Sequence, residues 1–449
     1  MASRGQFSSR FGFVMAAAGS AVGLGNIWGF PTQAASNGGG AFLLVYLFLA
    51  FTLAYPALMA ELIIGRHAHA NAVRALQVVS RNSLARRIGA LTGVMGLIVA
   101  SLILSFYAIV AGWMISFFVS SGAILLGFEQ FANWLTTFGF ERNVLFMLGF
   151  MWLTITIISK GVTDGIERWS ARLMPVLLIT LVLLVFYVLT LDGAVDGLKV
   201  YLLPDFGRAL SPDLILKAMG SAFFSLSLGV GTMLIYGSYL DDEQNLPVIG
   251  GMVCGVDILI AVLAGFLVLP AMYVALDRGV EIFTAAGTLI SEDTLIFTVL
   301  PELFATMGLA GMVVSFCFFF LMAIAALTSS ISMLEVPVAY VIEEHGVTRN
   351  RGVYAIGGCI AVVSTIILLN FDTLFGLVVA FTTRYSQPLI GFVFCIYAGW
   401  VWHRDQLLQE LRKGSPDVEQ GLFWKIWPWY VRVVCPTVIL AIFVQSFLG

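Results

Sequence analysis

Residues 19–26 read Gly19-Ser20-Ala21-Val22-Gly23-Leu24-Gly25-Asn26, and residues 225–231 read Ser225-Leu226-Ser227-Leu228-Gly229-Val230-Gly231. Each stretch sits in the middle of an apolar run long enough to cross a bilayer, which takes about 20 residues of helix. Each glycine costs a helix about 1 kcal/mol relative to alanine, so clusters at mid-span work against continuous helix. Small residues can instead serve close helix packing. The Asn and Ser in both stretches favour a break, because non-helical backbone at that depth persists only where it lines a cavity. Broken ends would offer amide groups to an anion and carbonyl groups to a cation.

Working outward, eleven apolar segments cover residues 11–36, 41–65, 89–122, 144–159, 168–190, 214–239, 247–275, 306–342, 353–370, 374–402 and 427–448. They do not alternate with period two as barrel strands would, so the expected fold is an all-α membrane protein of eleven transmembrane helices. The first segment contains Ala16-Ala17-Ala18, which resembles a leader cleavage site. It runs on through Trp28-Gly29-Phe30-Pro31, however, and reads as a first membrane helix. The two glycine-rich segments are the first and sixth. Four others separate them, the relation of the first helices in two five-helix repeats. Repeat one covers about 11–190 and repeat two about 214–402, with 427–448 as an extra helix of one domain spanning 1–449. Interrupted helices at matching places in two repeats point to a transporter site.

Composition agrees. Of 449 residues, 60% are apolar and 11% charged, against about a quarter charged in soluble chains. The mean hydropathy is +0.97. A net charge of −3 without a basic polar face excludes a nucleic-acid footprint. The five cysteines lack metal or disulfide spacing and read as buried packing residues. The four histidines lie at span edges, which speaks against an enzyme, and no repeated filter loop marks a channel. Sixteen Lys and Arg, from Arg4 and Arg10 to Lys425, fall on one side of the spans. Only Arg142, Lys199, Arg208, Lys217 and Arg278 fall on the other. The positive-inside rule then places the N-terminus in the cytoplasm and the C-terminus outside, in the cell's inner (plasma) membrane. Two long outer loops, 191–213 and 276–305, are expected to cover a pathway.

Gly19-Ser20-Ala21-Val22-Gly23-Leu24-Gly25-Asn26-Ile27-Trp28, Phe223-Phe224-Ser225-Leu226-Ser227-Leu228-Gly229 and Leu327-Thr328-Ser329-Ser330 together resemble the neurotransmitter:sodium symporter family. The resemblance covers the whole chain and implies its bacterial amino-acid members, with inverted repeats over helices 1–5 and 6–10 and helices 1 and 6 broken. It implies two sodium sites. The first would use the Ala21 carbonyl, Asn26, Ser225 and Asp257 with the substrate carboxylate. The second would use carbonyls of Gly19, Val22 and Ala325 with the Thr328 and Ser329 hydroxyls. All are hard oxygen ligands, which suits Na⁺. Thr328 and Ser329 alone would be a weak signal, because helix hydroxyls commonly bond their own backbone.

The same resemblance places the substrate carboxylate at the Leu24 and Gly25 amides and the Tyr107 hydroxyl. The amine would meet carbonyls of Ala21, Phe224 and Ser227. Ile103, Phe224, Ser227, Val230, Ser329 and Met333 would form the side-chain pocket. Biogenic-amine carriers of the family have aspartate where this chain has Gly23, so a substrate bringing its own carboxylate is expected. Asp257 is a carboxylate within a span, costly there and functional by default. Chloride-binding relatives have asparagine at that position, and chloride-free bacterial relatives have a glutamate where this chain has Ala261. Asp257, with Tyr46, Ser221 and Ser225 around it, is read as supplying the missing negative charge.

Arg4 and Glu343 match the family's inner gate pair, with Phe7, Ser238 and Tyr239 nearby, and Glu61 is read as bracing broken helix 1. The outer gate pair is absent, since Gly29 and Val379 stand at its positions. Arg384, a turn deeper, is either packed against carbonyls or placed in the vestibule. The expected function is sodium-coupled symport of a neutral, apolar or aromatic L-amino acid by alternating access, without chloride. Proton coupling, and a sensor built on a transporter fold, are the alternatives.

Overall fold

The computed structural model describes residues 5–282, 289 and 296–448. The chain is all-α. Ser9 starts the first helix, α1 (Arg10–Ala21), its hydroxyl accepting the Gly12 amide at 3.0 Å. The chain bends by 57° into α2 (Gly25–Ser36). There follow α3 (Gly40–Ala68), α4 (Ala72–Val78), α5 (Ser83–Leu125), α6 (Phe140–Ser159), α7 (Val162–Leu189) and α8 (Ala194–Leu202). Next come α9 (Pro212–Ser225), α10 (Thr232–Gly237), α11 (Leu246–Asp277), α12 (Val299–Thr306), α13 (Gly308–His345) and α14 (Arg349–Leu369). Helix α15 begins at Phe371–Val379 and continues through a wide-turned stretch, Ala380–Ser386, into Gln387–Ile396 and Tyr397–Val401. The chain closes with amphipathic α16 (Arg404–Gly414), then α17 (Leu422–Trp429) and α18 (Cys435–Leu448) joined by Tyr430–Val434.

Among the described residues, eight helices are long and apolar enough to cross a membrane, and the bent α1–α2 pair makes a ninth. Two further apolar segments, 214–239 and 374–402, are folded as interrupted helices instead: α9 and α10 flank residues 226–231, and α15 carries its wide turns. Large apolar side chains such as Phe48, Leu91, Trp152 and Phe186 face outward, as a lipid-facing surface requires. The longest helices, α5 and α13, pack along their length, and α1 lies against α7, α11 and α13 at the centre.

The two breaks have different causes. In the second, Gly229 (φ +78), Gly231 (φ +85) and Ser227 (φ +52) adopt left-handed backbone. A Cβ on Gly229 would also lie 2.1 Å from the Gln387 carbonyl oxygen, so only glycine fits there. In the first, Val22 turns extended (φ −69, ψ 109) and its glycines serve close packing. A Cβ on Gly19 would sit 3.0 Å from Thr328 Cβ, and one on Gly25 3.1 Å from the Phe224 ring. Both readings of the glycine clusters therefore hold, one at each break.

Two expectations need correction. Cys254, Cys395 and Cys435 are buried, but Cys317 is half-buried and Cys359 is exposed, so buried packing describes only three of the five. Glu61 braces the other break: its Oε1 accepts the Gly229 amide at 2.7 Å, because α3 runs beside α10 rather than capping α2.

Candidate functional site

The two breaks meet at the Ser20 carbonyl. Ser329 Oγ of α13 donates to it at 2.8 Å, and Ser227 Oγ donates to it at 3.1 Å. Beside this junction lies a small cavity of about 30 Å³. All ten expected substrate residues line it: Ala21, Leu24, Gly25, Ile103, Tyr107, Phe224, Ser227, Val230, Ser329 and Met333. The Leu24 amide donates to the Tyr107 hydroxyl at 3.4 Å. The Phe224 carbonyl accepts the Ser227 amide at 3.0 Å. A Cβ on Gly23 would stand 2.8 Å from Ser329 Oγ and 2.9 Å from the Tyr107 hydroxyl, leaving no room for a side chain. The cavity volume leaves room for only about two waters in this conformation.

Three lining residues escaped the sequence reading: Gly23 as a wall, Phe106 and Gln387. Gln387 Nε2 donates to the Leu228 carbonyl at 2.8 Å, fastening the second break to α15. Among the described residues its Oε1 is buried without a partner. A polar residue next to Pro388 within an apolar run was the available signal. Beyond Phe224 and Gln387 opens a vestibule of about 630 Å³, lined also by Gly29, Asp213, Lys217, Ser221 and Arg384. Arg384 is thus an exposed residue of the vestibule.

Three members of the expected first sodium set, Asn26, Ser225 and Asp257, form one buried cluster. Asn26 Nδ2 donates to Asp257 Oδ1 at 2.7 Å and to Ser225 Oγ at 2.8 Å. Ser225 Oγ donates to Asp257 Oδ2 at 2.8 Å, and the Tyr46 hydroxyl to Ser225 Oγ at 3.2 Å. Ser221 lines the vestibule instead of joining this cluster. For the second set, the Thr328 hydroxyl bonds the Ala325 carbonyl at 3.1 Å, Gly19 packs on Thr328, and Val22 is fully buried. These are all oxygen donors or the backbone that carries them, a chemistry that fits a hard monovalent cation.

Residues 4–144 and 130–449 match the model of the sodium:neurotransmitter symporter family. The chain belongs to that family. This symporter is 34% identical to the sodium-dependent transporter YhdH of Bacillus subtilis, over 98% of this chain and 97% of the relative. It is 31% identical to a sodium-dependent transporter of Haemophilus influenzae, over 99% and 98%. The crystal structure of MhsT in complex with L-phenylalanine matches it with a TM-score of 0.83 and 33% identity, over 99% of this chain and 100% of that one. The symporter is accordingly a multi-pass membrane transporter of a sodium-dependent family, and not an enzyme.

A second group of contacts joins the later part of α13 to the residues after α10 and to the stretch before α1. Arg349 Nη2 meets Glu335 Oε2 at 2.6 Å, and the Tyr239 hydroxyl donates to Glu335 Oε1 at 2.7 Å. The Phe7 ring packs edge-on against Phe13 and Tyr236. Glu335 was passed over in the sequence, although a carboxylate within an apolar run is the signal that singled out Asp257. Of the expected gate pair, Arg4 lies outside the described residues. Glu343 accepts the Asn71 amide at 2.8 Å and the Asn71 side chain at 3.1 Å. Arg66 Nε donates to Glu410 Oε1 at 2.7 Å, pinning α16 to the end of α3.

The Glu410 carboxyl lies outside the apolar spans and titrates at about 2. Burial alone would raise it, and the contacts with His67, Lys413 and Arg66 outweigh burial.

Proposed function

We propose that this symporter moves a neutral, apolar or aromatic L-amino acid together with Na⁺, by alternating access and without chloride. The observation that carries the reading is the pocket at Gly23. Its walls are mostly apolar, and the Tyr107 hydroxyl and Ser329 Oγ fill the space any acidic side chain at residue 23 would need. The substrate's own carboxylate supplies the negative charge. It binds at the Leu24 and Gly25 amides and Tyr107, with its amine toward carbonyls of Ala21, Phe224 and Ser227. MhsT, bound to L-phenylalanine, supports the same substrate class.

One sodium ion is held by Ala21, Asn26, Ser225, Asp257 and the substrate carboxylate. In the present arrangement the Asn26 amide group donates to the oxygens that would face the ion. A second ion is held by Gly19, Val22, Ala325, Thr328 and Ser329. Asp257 provides the fixed anion that offsets this charge in a dry site. Arg4 and Glu343 form the inner gate. Phe224, lying over Gly25 between cavity and vestibule, swings aside to admit substrate.

The chain crosses the plasma membrane eleven times as two inverted five-helix repeats and an extra helix, with the N-terminus cytoplasmic. The vestibule then opens outward, and the Glu335–Arg349 face is inner. A thermal-shift screen of the purified protein against the common amino acids, with Na⁺ or choline, tests the reading. Stabilisation by apolar and aromatic L-amino acids only in Na⁺ supports it; stabilisation by aspartate, or equally in choline, contradicts it.

A further inference from the structure

A separate pocket of about 360 Å³ lies where the last turns of α15, the start of α16 and the turns of α17 meet the loop before α5. Four cations line it, Arg81, Arg404, Lys425 and Arg432, and no carboxylate does. Among the described residues none of the four enters an ion pair. Asp405, the acid beside Arg404 in sequence, faces His403 at 3.6 Å instead.

The charges are held in place without being neutralised. The Arg432 guanidinium lies 3.9 Å from the centre of the Trp400 ring, and that of Arg404 5.4 Å from Trp424. Arg81 Nη2 donates to the Trp402 carbonyl at 2.7 Å. Stacked guanidinium groups keep their outward N–H donors for a ligand. Trp402 also lines the pocket and is 2% exposed, and among the described residues its indole N–H has no acceptor. A buried unpaired donor beside four uncompensated cations is complementary to an anion with several acceptor oxygens.

Ile426, Trp429 and Val433 recur at helical spacing beside Lys425 and Arg432, and with Trp400 they are largely exposed. The site thus has a cationic floor and an apolar, tryptophan-rich skirt, the arrangement found where protein meets the head-group layer. Inorganic phosphate would use only the floor.

We propose that this pocket binds the phosphate group of an anionic phospholipid, with acyl chains along the skirt. On the orientation proposed above it faces the cytoplasmic leaflet, which is anionic. The bound lipid bridges the inner ends of α15 and α17 and the loop leading to α5.

The test titrates delipidated full-length protein with phosphatidylglycerol, phosphatidylcholine or inorganic phosphate, reading thermal stability and lipid adducts by native mass spectrometry. Phosphatidylglycerol is expected to bind and stabilise more than the other two. Arg404→Gln combined with Lys425→Gln should weaken its binding about tenfold or more, from the attraction of each cation to an anionic lipid. Arg86→Gln combined with Arg87→Gln, which removes two exposed cations outside the pocket, should not. If the first pair fails to fold, Lys425→Gln alone should give about half the logarithmic effect. Equal weakening in both pairs, equal binding of phosphatidylcholine, or equal stabilisation by inorganic phosphate would each overturn the proposal.

Discussion

Asn26 Nδ2 stands 2.7 Å from Asp257 Oδ1, so a single amide ties the first helix break to the middle of α11. Removing it leaves a buried carboxylate one donor short, at a cost of about 1.5–3 kcal/mol. Asn26→Ala also removes an expected oxygen ligand of the first ion, and should raise the Na⁺ concentration for half-maximal binding about tenfold or more. Thr328→Ala should turn a sigmoidal Na⁺ dependence hyperbolic, by deleting the second site. Equilibrium binding of labelled substrate against Na⁺ concentration reads both. An Asn26→Ala curve superimposing on the wild type would remove Asn26 from the sodium site.

Gly23 bears on the substrate class. A side chain there collides with Tyr107 and Ser329, so Gly23→Asp should abolish amino-acid binding rather than create an amine carrier. Tyr107→Phe should weaken amino-acid binding about tenfold, by removing a hydroxyl from a charged ligand. Competition binding checks this, with the wild type preferring phenylalanine over phenylethylamine. Tight binding of the amine would place recognition elsewhere.

Asp257 should make transport indifferent to chloride. Replacing chloride with gluconate should leave wild-type uptake unchanged. Asp257→Asn combined with Ala261→Ser removes the fixed carboxylate and rebuilds a hydroxyl, and should introduce chloride dependence where it retains activity. Wild-type uptake that stops without chloride would reduce Asp257 to a sodium ligand.

Glu410 sets a pH dependence of stability. Its carboxyl titrates at about 2 against an ordinary 4.5, so the folded state favours the ionised form. That contribution is complete above about pH 4.5 and is lost as pH falls toward 2. Glu410→Gln strands Arg66 and should cost about 3–5 kcal/mol, as when one partner of a buried pair is removed. Its melting temperature should be lower at neutral pH and should fall less between pH 5 and 3 than that of the wild type. Parallel curves would show that ionisation of Glu410 does not set this pH dependence.

Much of the site was legible because its signals are local. Glycine runs, Asn26 and Asp257 are anomalies inside apolar segments, and they mark the breaks and the buried polar cluster directly. What stayed hidden depends on which helices become neighbours. Glu61 was placed in the right segment but given the wrong break, since only packing sets α3 beside α10. Arg66 and Glu410 are 344 residues apart, and neither looks unusual among juxtamembrane charges. Gln387 reads as an ordinary helical residue until the second break folds against it. The wide turns of α15 have no strong sequence marker either, because they keep the residue types of continuous helix.

The central claim is tested most directly by uptake of labelled L-phenylalanine into proteoliposomes loaded with K⁺ buffer. An inward Na⁺ gradient should drive accumulation above the equilibrium level, collapsing when choline or K⁺ replaces external Na⁺ or when the gradient is dissipated. Uptake that is equal in Na⁺ and choline, or that follows an imposed proton gradient instead, would contradict sodium-coupled symport.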